Sequence, residues 1–312
     1  MEAVADILLQ AGRAGVELAL FILLPVMVVM LSAMRLLESW GVLGRLVRWV
    51  GPLLNPLGIP GLGVFAMVQS LFVSFAAPMA TLALMDRSGA SERHLAATLC
   101  LALALAQGNV TFPLAAAGLD IATTLLVSVA AACIGASLTY HLFGRRLSSV
   151  ETATASQSPE AEEDAPRGWM PVIQRAGRDA LDITLNALPL LILALVAVHA
   201  LRAMGAMGAL EPLLAPLFAG LDLPGSMAVP IVTKFIAGGT AMMGVVMDLA
   251  AQGEVTAAQV NRVAGLLVHP LDLAGVAIIA GAGPRVARVV GPAALGAAVA
   301  IALRTVAHFL WF

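Results

Sequence analysis

Residues 25–61 read PVMVVMLSAMRLLESWGVLGRLVRWVGPLLNPLGIPG, and residues 189–225 read PLLILALVAVHALRAMGAMGALEPLLAPLFAGLDLPG. Laid over each other without a gap, Pro25, Gly41, Gly44, Pro52, Pro60 and Gly61 face Pro189, Gly205, Gly208, Pro216, Pro224 and Gly225. The charges do not repeat. Arg35, Arg45 and Arg48 face His199, Ala209 and Pro212, while Glu211 and Asp222 are new in the second copy. A shared pattern with reversed charge is what two membrane repeats of opposite orientation should show, because short loops kept in the cytoplasm carry the excess of Lys and Arg.

Composition agrees. The chain is 60% hydrophobic and only 12% charged, with a mean hydropathy of +0.96, outside the range of soluble domains. Apolar runs of span length cover about 15–38, 94–118, 120–143, 179–202, 258–281 and 286–311, each near the roughly 20 residues that cross a bilayer. Two further runs, 61–86 and 225–250, are long enough but broken by polar residues, Gly and Pro. Continuous rather than alternating apolar runs exclude a β-barrel. Cys100 and Cys133 stand singly, so neither a disulfide framework nor a cysteine metal site is expected. No basic stripe suggests nucleic acid, and no enzyme motif such as H-E-x-x-H, G-x-S-x-G or a P-loop is present.

These runs predict an all-α polytopic membrane protein of two inverted repeats, 1–143 and 179–312, joined by a charged cytoplasmic linker over 144–178. Each repeat holds about three spans, a short amphipathic helix (41–56 and 205–220) and a re-entrant helical hairpin (61–86 and 225–250). Charge chooses re-entrance over full crossing. With both hairpins re-entrant, 12 of the 17 basic residues share one side: the linker's five, plus Arg35, Arg45, Arg48, Arg87, Arg93, Arg285 and Arg288. Arg13, Arg202, Arg262 and Arg304 then lie at or near the outer surface, and Lys234 within the membrane. Thr256 and Gln259 are spaced as a capping box for the span after the second hairpin.

Broken helices expose backbone groups at membrane depth, which is tolerated only where they line a protein-enclosed or wet cavity. Two matched pairs of segments have this character. The first pair is Gln69–Ser70 in one hairpin and Lys234 with Gly238–Gly239–Thr240 in the other. The second is Gln107–Gly108–Asn109–Val110–Thr111 and His269–Pro270–Leu271–Asp272 in the spans that follow. A lysine amid apolar sequence costs roughly 2.5–3.5 kcal/mol to insert, so Lys234 needs a partner, and Asp272 is the expected one. A buried ion pair would serve architecture alone; a pair lining a path would serve transport. His269 is a candidate proton carrier or a packed histidine beside Pro270. Gln107, Asn109 and Thr111 flank two helix breakers and read as cavity-lining, against the alternative of interhelical hydrogen bonds. Gly239 and Thr240 form a tip whose N–H groups suit an anion or carbonyl.

The two-fold repeat, the Pro-Gly run ending each amphipathic piece and the G-G-T-A-M-M-G-x-x-M-D stretch at 238–248 resemble the bacterial nucleoside-recognition, or Gate, membrane proteins. That group includes the spore maturation A and B proteins and the membrane part of the ferrous iron transporter, and it is similar to the concentrative nucleoside transporters. The resemblance implies a site formed by Gln69, Ser70, Lys234, Thr240, Gln107, Asn109, His269 and Asp272. It also implies a homodimer, since extra scaffold helices are lacking. The resulting expectation is a bacterial inner-membrane secondary transporter, not an enzyme, that moves a small polar, nucleoside-like solute by alternating access. It would need no cofactor or resident metal and would be driven by protons or sodium. A non-transporting scaffold or regulatory module is the rival, and a metal-ion permease is third.

Overall fold

The computed structural model describes residues 2–151, 168–205, 223, 225–279 and 283–312. Residues 206–220 of the expected second amphipathic helix and 152–167 of the linker lie outside them. The chain opens with α1 (Glu2–Glu17) and α2 (Leu24–Ser39), joined by a π-helical turn at Leu18–Leu23. Pro25 lacks an N–H and its ring crowds the carbonyl four residues back, so the helix widens there to continue. Then α3 (Val42–Leu54) runs into a short 3₁₀ turn and bends by 107° into α4 (Gly61–Phe72). Helix α5 (Ala77–Arg87) packs back along α4, giving the expected hairpin in place of a straight span.

Next come α6 (Glu92–Ala104), the single turn α7 (Gly108–Thr111) and α8 (Ile121–Leu138). The second half begins with α9 (Trp169–Ala203). That helix starts inside the 144–178 stretch assigned to the linker, because Trp169–Met170 and the apolar positions beyond Arg175 already supply a helical face. Helix α10 (Ala228–Ala237) and α11 (Gly239–Ala251) form the second hairpin, folded at Gly238. The chain ends with α12 (Ala257–Leu267), α13 (Leu273–Ile279), α14 (Pro284–Arg288) and α15 (Val290–Trp311). Among the described residues, five helices are long and apolar enough to cross a bilayer. The chain is a multi-pass helical membrane protein.

Two expected spans are broken. The 94–118 run leaves the helix after Ala104, and the 258–281 run leaves it after Leu267 and resumes at Leu273. Gly108, Pro113 and Pro270 sit at or just beyond these points, where glycine loosens and proline removes a donor.

Inversion is visible in the contacts. At one end of the α2–α9 pair Arg35 Nη2 lies 2.8 Å from Asp179 Oδ2, while Gly15 of α1 abuts Ile192 further on. The equivalent helices therefore run antiparallel. So do α8 and α15, in which Ser128 meets Arg304 at one end and Gly135 meets Gly296 at the other. A Cβ on Gly135 would stand 2.6 Å from the Gly296 carbonyl oxygen and 2.8 Å from Ala300 Cβ. Gly135→Ala should force these helices apart at a cost of about 1–3 kcal/mol, read as a lower melting temperature with unchanged helicity by circular dichroism.

Basic residues gather at one end. Arg93 donates to the carbonyls of Leu147 and Arg145 at 3.1 and 2.7 Å, Arg285 pairs with Asp86 at 2.9 Å and Arg288 faces Glu92 at 3.9 Å. The opposite end is polar but not basic-rich. There Asn261 accepts from the Asp120 N–H at 2.7 Å and donates to Gly118 O, and its carbonyl meets His308 Nδ1 at 2.7 Å. The capping box is present, with Gln259 N–H on Thr256 Oγ1 and Thr256 N–H on Gln259 Oε1.

Helix α3 divides its surface three ways. Leu43, Val47 and Gly51 face the protein, Val42, Leu46, Trp49 and Leu53 form an exposed apolar strip, and Arg45 with Arg48 lies to one side. This is the pattern of a helix lying in the interface plane. Two apolar cores fill the interior. One gathers Met27, Leu191, Met243 and Val263; the other gathers Leu62, Leu99, Ala132 and Ala297. The break after α6 lies on their seam, since Leu105 belongs to the second core and Ala106 to the first.

Candidate functional site

The span containing α6 is 94% buried, against 39% at most for the other four span-length helices. It is the axis of the molecule, and its broken end meets the broken end of α12. The Gln107 N–H donates to the Val268 carbonyl at 3.2 Å, joining the two unwound stretches directly. Asn109 N–H donates to Val73 O at 2.8 Å, tying in the fold of the first hairpin. Asn109 Nδ2 donates to Thr240 Oγ1 at 3.2 Å, reaching the tip of the second. Gly239 lies so close that a Cβ there would stand 2.6 Å from Gln107 Nε2. Gly108 is equally constrained: its Cβ would fall 2.7 Å from the Leu71 oxygen. At Gly108 the crowding atoms are backbone of the first hairpin, so that position requires glycine; at Gly239 they are the side chains of Gln107 and Val110.

Four segments singled out in the sequence thus converge. Lys234 and Asp272 form the expected pair, with Nζ on Oδ2. The lysine side chain is fully buried and the carboxylate nearly so. Asp272 Oδ1 also accepts the Gly275 N–H at 2.8 Å, capping α13. His269 Nδ1 accepts the Leu271 N–H at 3.0 Å. This bond suits a neutral ring that carries its proton on Nε2. Gln69 has a partner within its own hairpin. Its Oε1 accepts from Thr81 Oγ1 at 2.7 Å within its own hairpin, so this amide pins α4 to α5. Ser70 and Thr111 are buried. Ser70 Oγ, Thr111 Oγ1, Asn109 Oδ1 and His269 Nε2 are all buried without a protein partner. All four belong to the segments that meet here, and buried polar groups are nearly always bonded.

One central residue escaped the sequence reading. Arg304, expected near the outer surface, is 1% exposed. Its Nε and Nη2 donate to Gly265 O at 2.9 and 2.8 Å, and Nη1 donates to Ala104 O at 2.8 Å and Ser128 Oγ at 2.9 Å. Ala104 and Gly265 are in the last turns of α6 and α12, where carbonyls lose their i+4 donors to the breaks. The guanidinium replaces those donors at both ends at once. Each helix C-terminus carries about half a negative charge, so two of them balance one arginine. Ser128 Oγ also accepts the Ala106 N–H at 2.6 Å, anchoring the unwound strand to α8. The signal was present: Arg304 is the lone arginine in the run 290–311, whose other polar side chains are Thr305 and His308, and the cost that flagged Lys234 applies to it equally.

This architecture, two inverted halves with tip-to-tip broken helices and two hairpins, has known counterparts. Residues 20–154 match the Gate family, described as nucleoside recognition. That match covers most of the first repeat and the start of the linker. No curated protein matches the chain. Among solved structures, a double variant of the nucleoside transporter CNTnw in an outward-facing state is similar with a TM-score of 0.67, at 20% identity over 93% of this chain and 75% of that one. CNTnw in an inward-facing substrate-bound state is similar with a TM-score of 0.63, at 19% identity over 99% and 82%. A single variant in an intermediate state scores 0.66 at 20% identity over 93% and 74%. The shared feature is the fold.

Proposed function

We propose that the protein is a secondary transporter of a small polar, nucleoside-like solute in a bacterial inner membrane, working by alternating access between its inverted repeats. The observation that carries this reading is the convergence of two helix breaks and two hairpin tips, whose segments carry four buried polar atoms without a protein partner. Asn109 Oδ1, Thr111 Oγ1 and Ser70 Oγ accept, and His269 Nε2–H donates. A solute rich in hydroxyl, amine and carbonyl groups would satisfy them all. The Gate match supports the nucleoside class. Similarity to one transporter in outward, intermediate and inward states supports hairpins that move against the helix pair bound by Arg304.

One observation favours the scaffold reading. Gln107, Asn109, Lys234 and Asp272 are each less than a tenth exposed, as a dry packed joint would be. The transport reading takes this as the state closed over the site. A metal-ion permease has less support, since among the described residues no three His, Cys, Asp or Glu side chains come together.

Thermal melts of purified protein with nucleosides, nucleobases, amino acids and small cations test the proposal. Nucleosides should raise the melting temperature in a concentration-dependent way. Asn109→Ala should melt within about 1 kcal/mol of wild type, because a single interhelical bond in a membrane is weak, yet lose the nucleoside shift. If no solute shifts the melt and vesicles reconstituted with the protein take up no nucleoside, the scaffold reading replaces this one.

A further inference from the structure

Helices α2 and α9 line a groove of about 500 Å³ on the outside of the molecule. Leu24, Val28, Gly177 and Leu181 form its apolar part, and Gln174 and Arg178 its polar part. The Arg35–Asp179 bridge beside it marks its depth in the membrane. At the neighbouring helix ends Trp40 and Trp169 are exposed, as aromatic anchors at a membrane interface are. Leu24 lies about 16 Å further along α2 than Arg35, at about 1.5 Å per residue. That is close to half of a roughly 30 Å hydrocarbon core, the depth of one leaflet. The groove is therefore polar at headgroup level and apolar below. Asp179 is taken by Arg35, and among the described residues no carboxylate pairs with Arg178. Gly177 adds a second clue. Nothing in the protein lies within 4 Å of where its Cβ would stand, so packing gives no reason for a residue that weakens a helix interior. The triplet Ala176–Gly177–Arg178 recurs as Ala11–Gly12–Arg13 in the other half, with both alanines fully buried and both glycines open.

We propose that this groove holds an anionic phospholipid, its phosphate on Arg178 and Gln174 and an acyl chain along Leu181, Val28 and Leu24. The lipid comes from the leaflet at the basic end, which the sidedness of arginine makes the cytoplasmic one. A guanidinium fork pairs with two phosphate oxygens at once, and one phospholipid supplies both the anion for Arg178 and the chain for the apolar wall. Arg45 and Arg48, exposed on α3 at the same end, extend the basic surface beyond the groove. Bound there, the lipid bridges α2 and α9, the equivalent helices of the two halves, and so stabilises their pairing. The site is remote from the broken helices and does not depend on what the protein carries.

The test is thermal melting of purified protein in an uncharged detergent, titrated with phosphatidylglycerol, with phosphatidylcholine of the same chains, or with glycerol phosphate alone. Phosphatidylglycerol should raise the melting temperature of wild type saturably, as a bound ligand does, and the other two should raise it far less. Arg178→Gln should weaken the apparent affinity about tenfold, the loss of one charge-assisted contact. Gly177→Leu fills the groove and leaves every charge in place. It should melt no lower than wild type without lipid, because its side chain enters open space, yet lose the lipid shift. Arg48→Gln removes a nearby exposed charge outside the groove and should keep the shift. Equal losses for Arg48→Gln and Arg178→Gln would show a general attraction to surface charge and overturn the proposal. So would a Gly177→Leu protein with the wild-type shift, or a response to glycerol phosphate equal to that of the lipid. A wild-type dimer that Gly177→Leu splits, with no lipid response in either, would give the groove to a second copy of the chain instead.

Discussion

Arg304→Met is expected to destabilise the protein by about 2–4 kcal/mol, the largest effect of any single substitution outside the Lys234–Asp272 pair. It deletes four hydrogen bonds and strands the carbonyls of Ala104 and Gly265 at membrane depth. A buried orphan costs about 1–3 kcal/mol in water-soluble proteins. Membrane hydrogen bonds measured by double-mutant cycles average nearer 0.6 kcal/mol, because the unfolded chain in a bilayer also finds partners. Four bonds at the membrane value give about 2.4 kcal/mol, and two orphans at a middling soluble value about 4, so the two routes bracket the figure. Arg304→Lys should fall between wild type and Met, since one ammonium cannot serve two helix ends with a planar fork. Chemical denaturation in detergent checks the order. Equal losses for Lys and Met would show that only volume matters at this position. Because the same guanidinium holds both helix breaks, the Lys variant should also weaken any solute-induced thermal shift more than its stability loss explains.

The second large effect is at Lys234 and Asp272. Either single neutralisation, Lys234→Met or Asp272→Asn, leaves one buried charge alone and should cost about 3–5 kcal/mol. Neutralising both should restore most of that stability, because the remaining pair is uncharged and of similar volume. A double-mutant cycle in detergent measures the coupling, expected at about 2 kcal/mol or more and well above the 0.2–1 kcal/mol of exposed pairs. Asp272→Asn alone is therefore a poor probe of transport: it damages the fold whether or not the pair lines a path. The rebalanced double variant is the informative one. If it folds well and still responds to nucleosides like wild type, the pair is architectural. Loss of the response in a protein of restored stability places the pair at the solute site.

The membrane class, the duplication and the identity of most central residues were legible in the chain. Each announces itself by breaking a local rule: Lys234 in an apolar run, polar side chains beside Gly108 and Pro270, Pro-Gly at matching positions. Lys234 and Asp272 could be paired in advance because opposite charges at membrane depth have few alternatives to each other. The Gln69 bond to Thr81 could not be foreseen, because an amide can be satisfied within its own hairpin as readily as across a cavity. Arg304 was misplaced because a positive charge near the end of an apolar run is ordinarily an interface residue, its long stem snorkelling outward. The span boundaries could not show that α15 carries it inward.

By itself the sequence determined that the chain lies in a membrane, that it is built from two related halves, and that reversed charge sets those halves in opposite orientations. These follow from hydropathy and from the sidedness of arginine, both properties of single segments. Only the tertiary structure decided that the broken ends of α6 and α12 meet, that Gln107 binds Val268 across the join, and that one arginine satisfies both helix ends. Those are relations between backbone groups, and a carbonyl freed by a helix break looks alike in any sequence until the fold shows which donor reaches it.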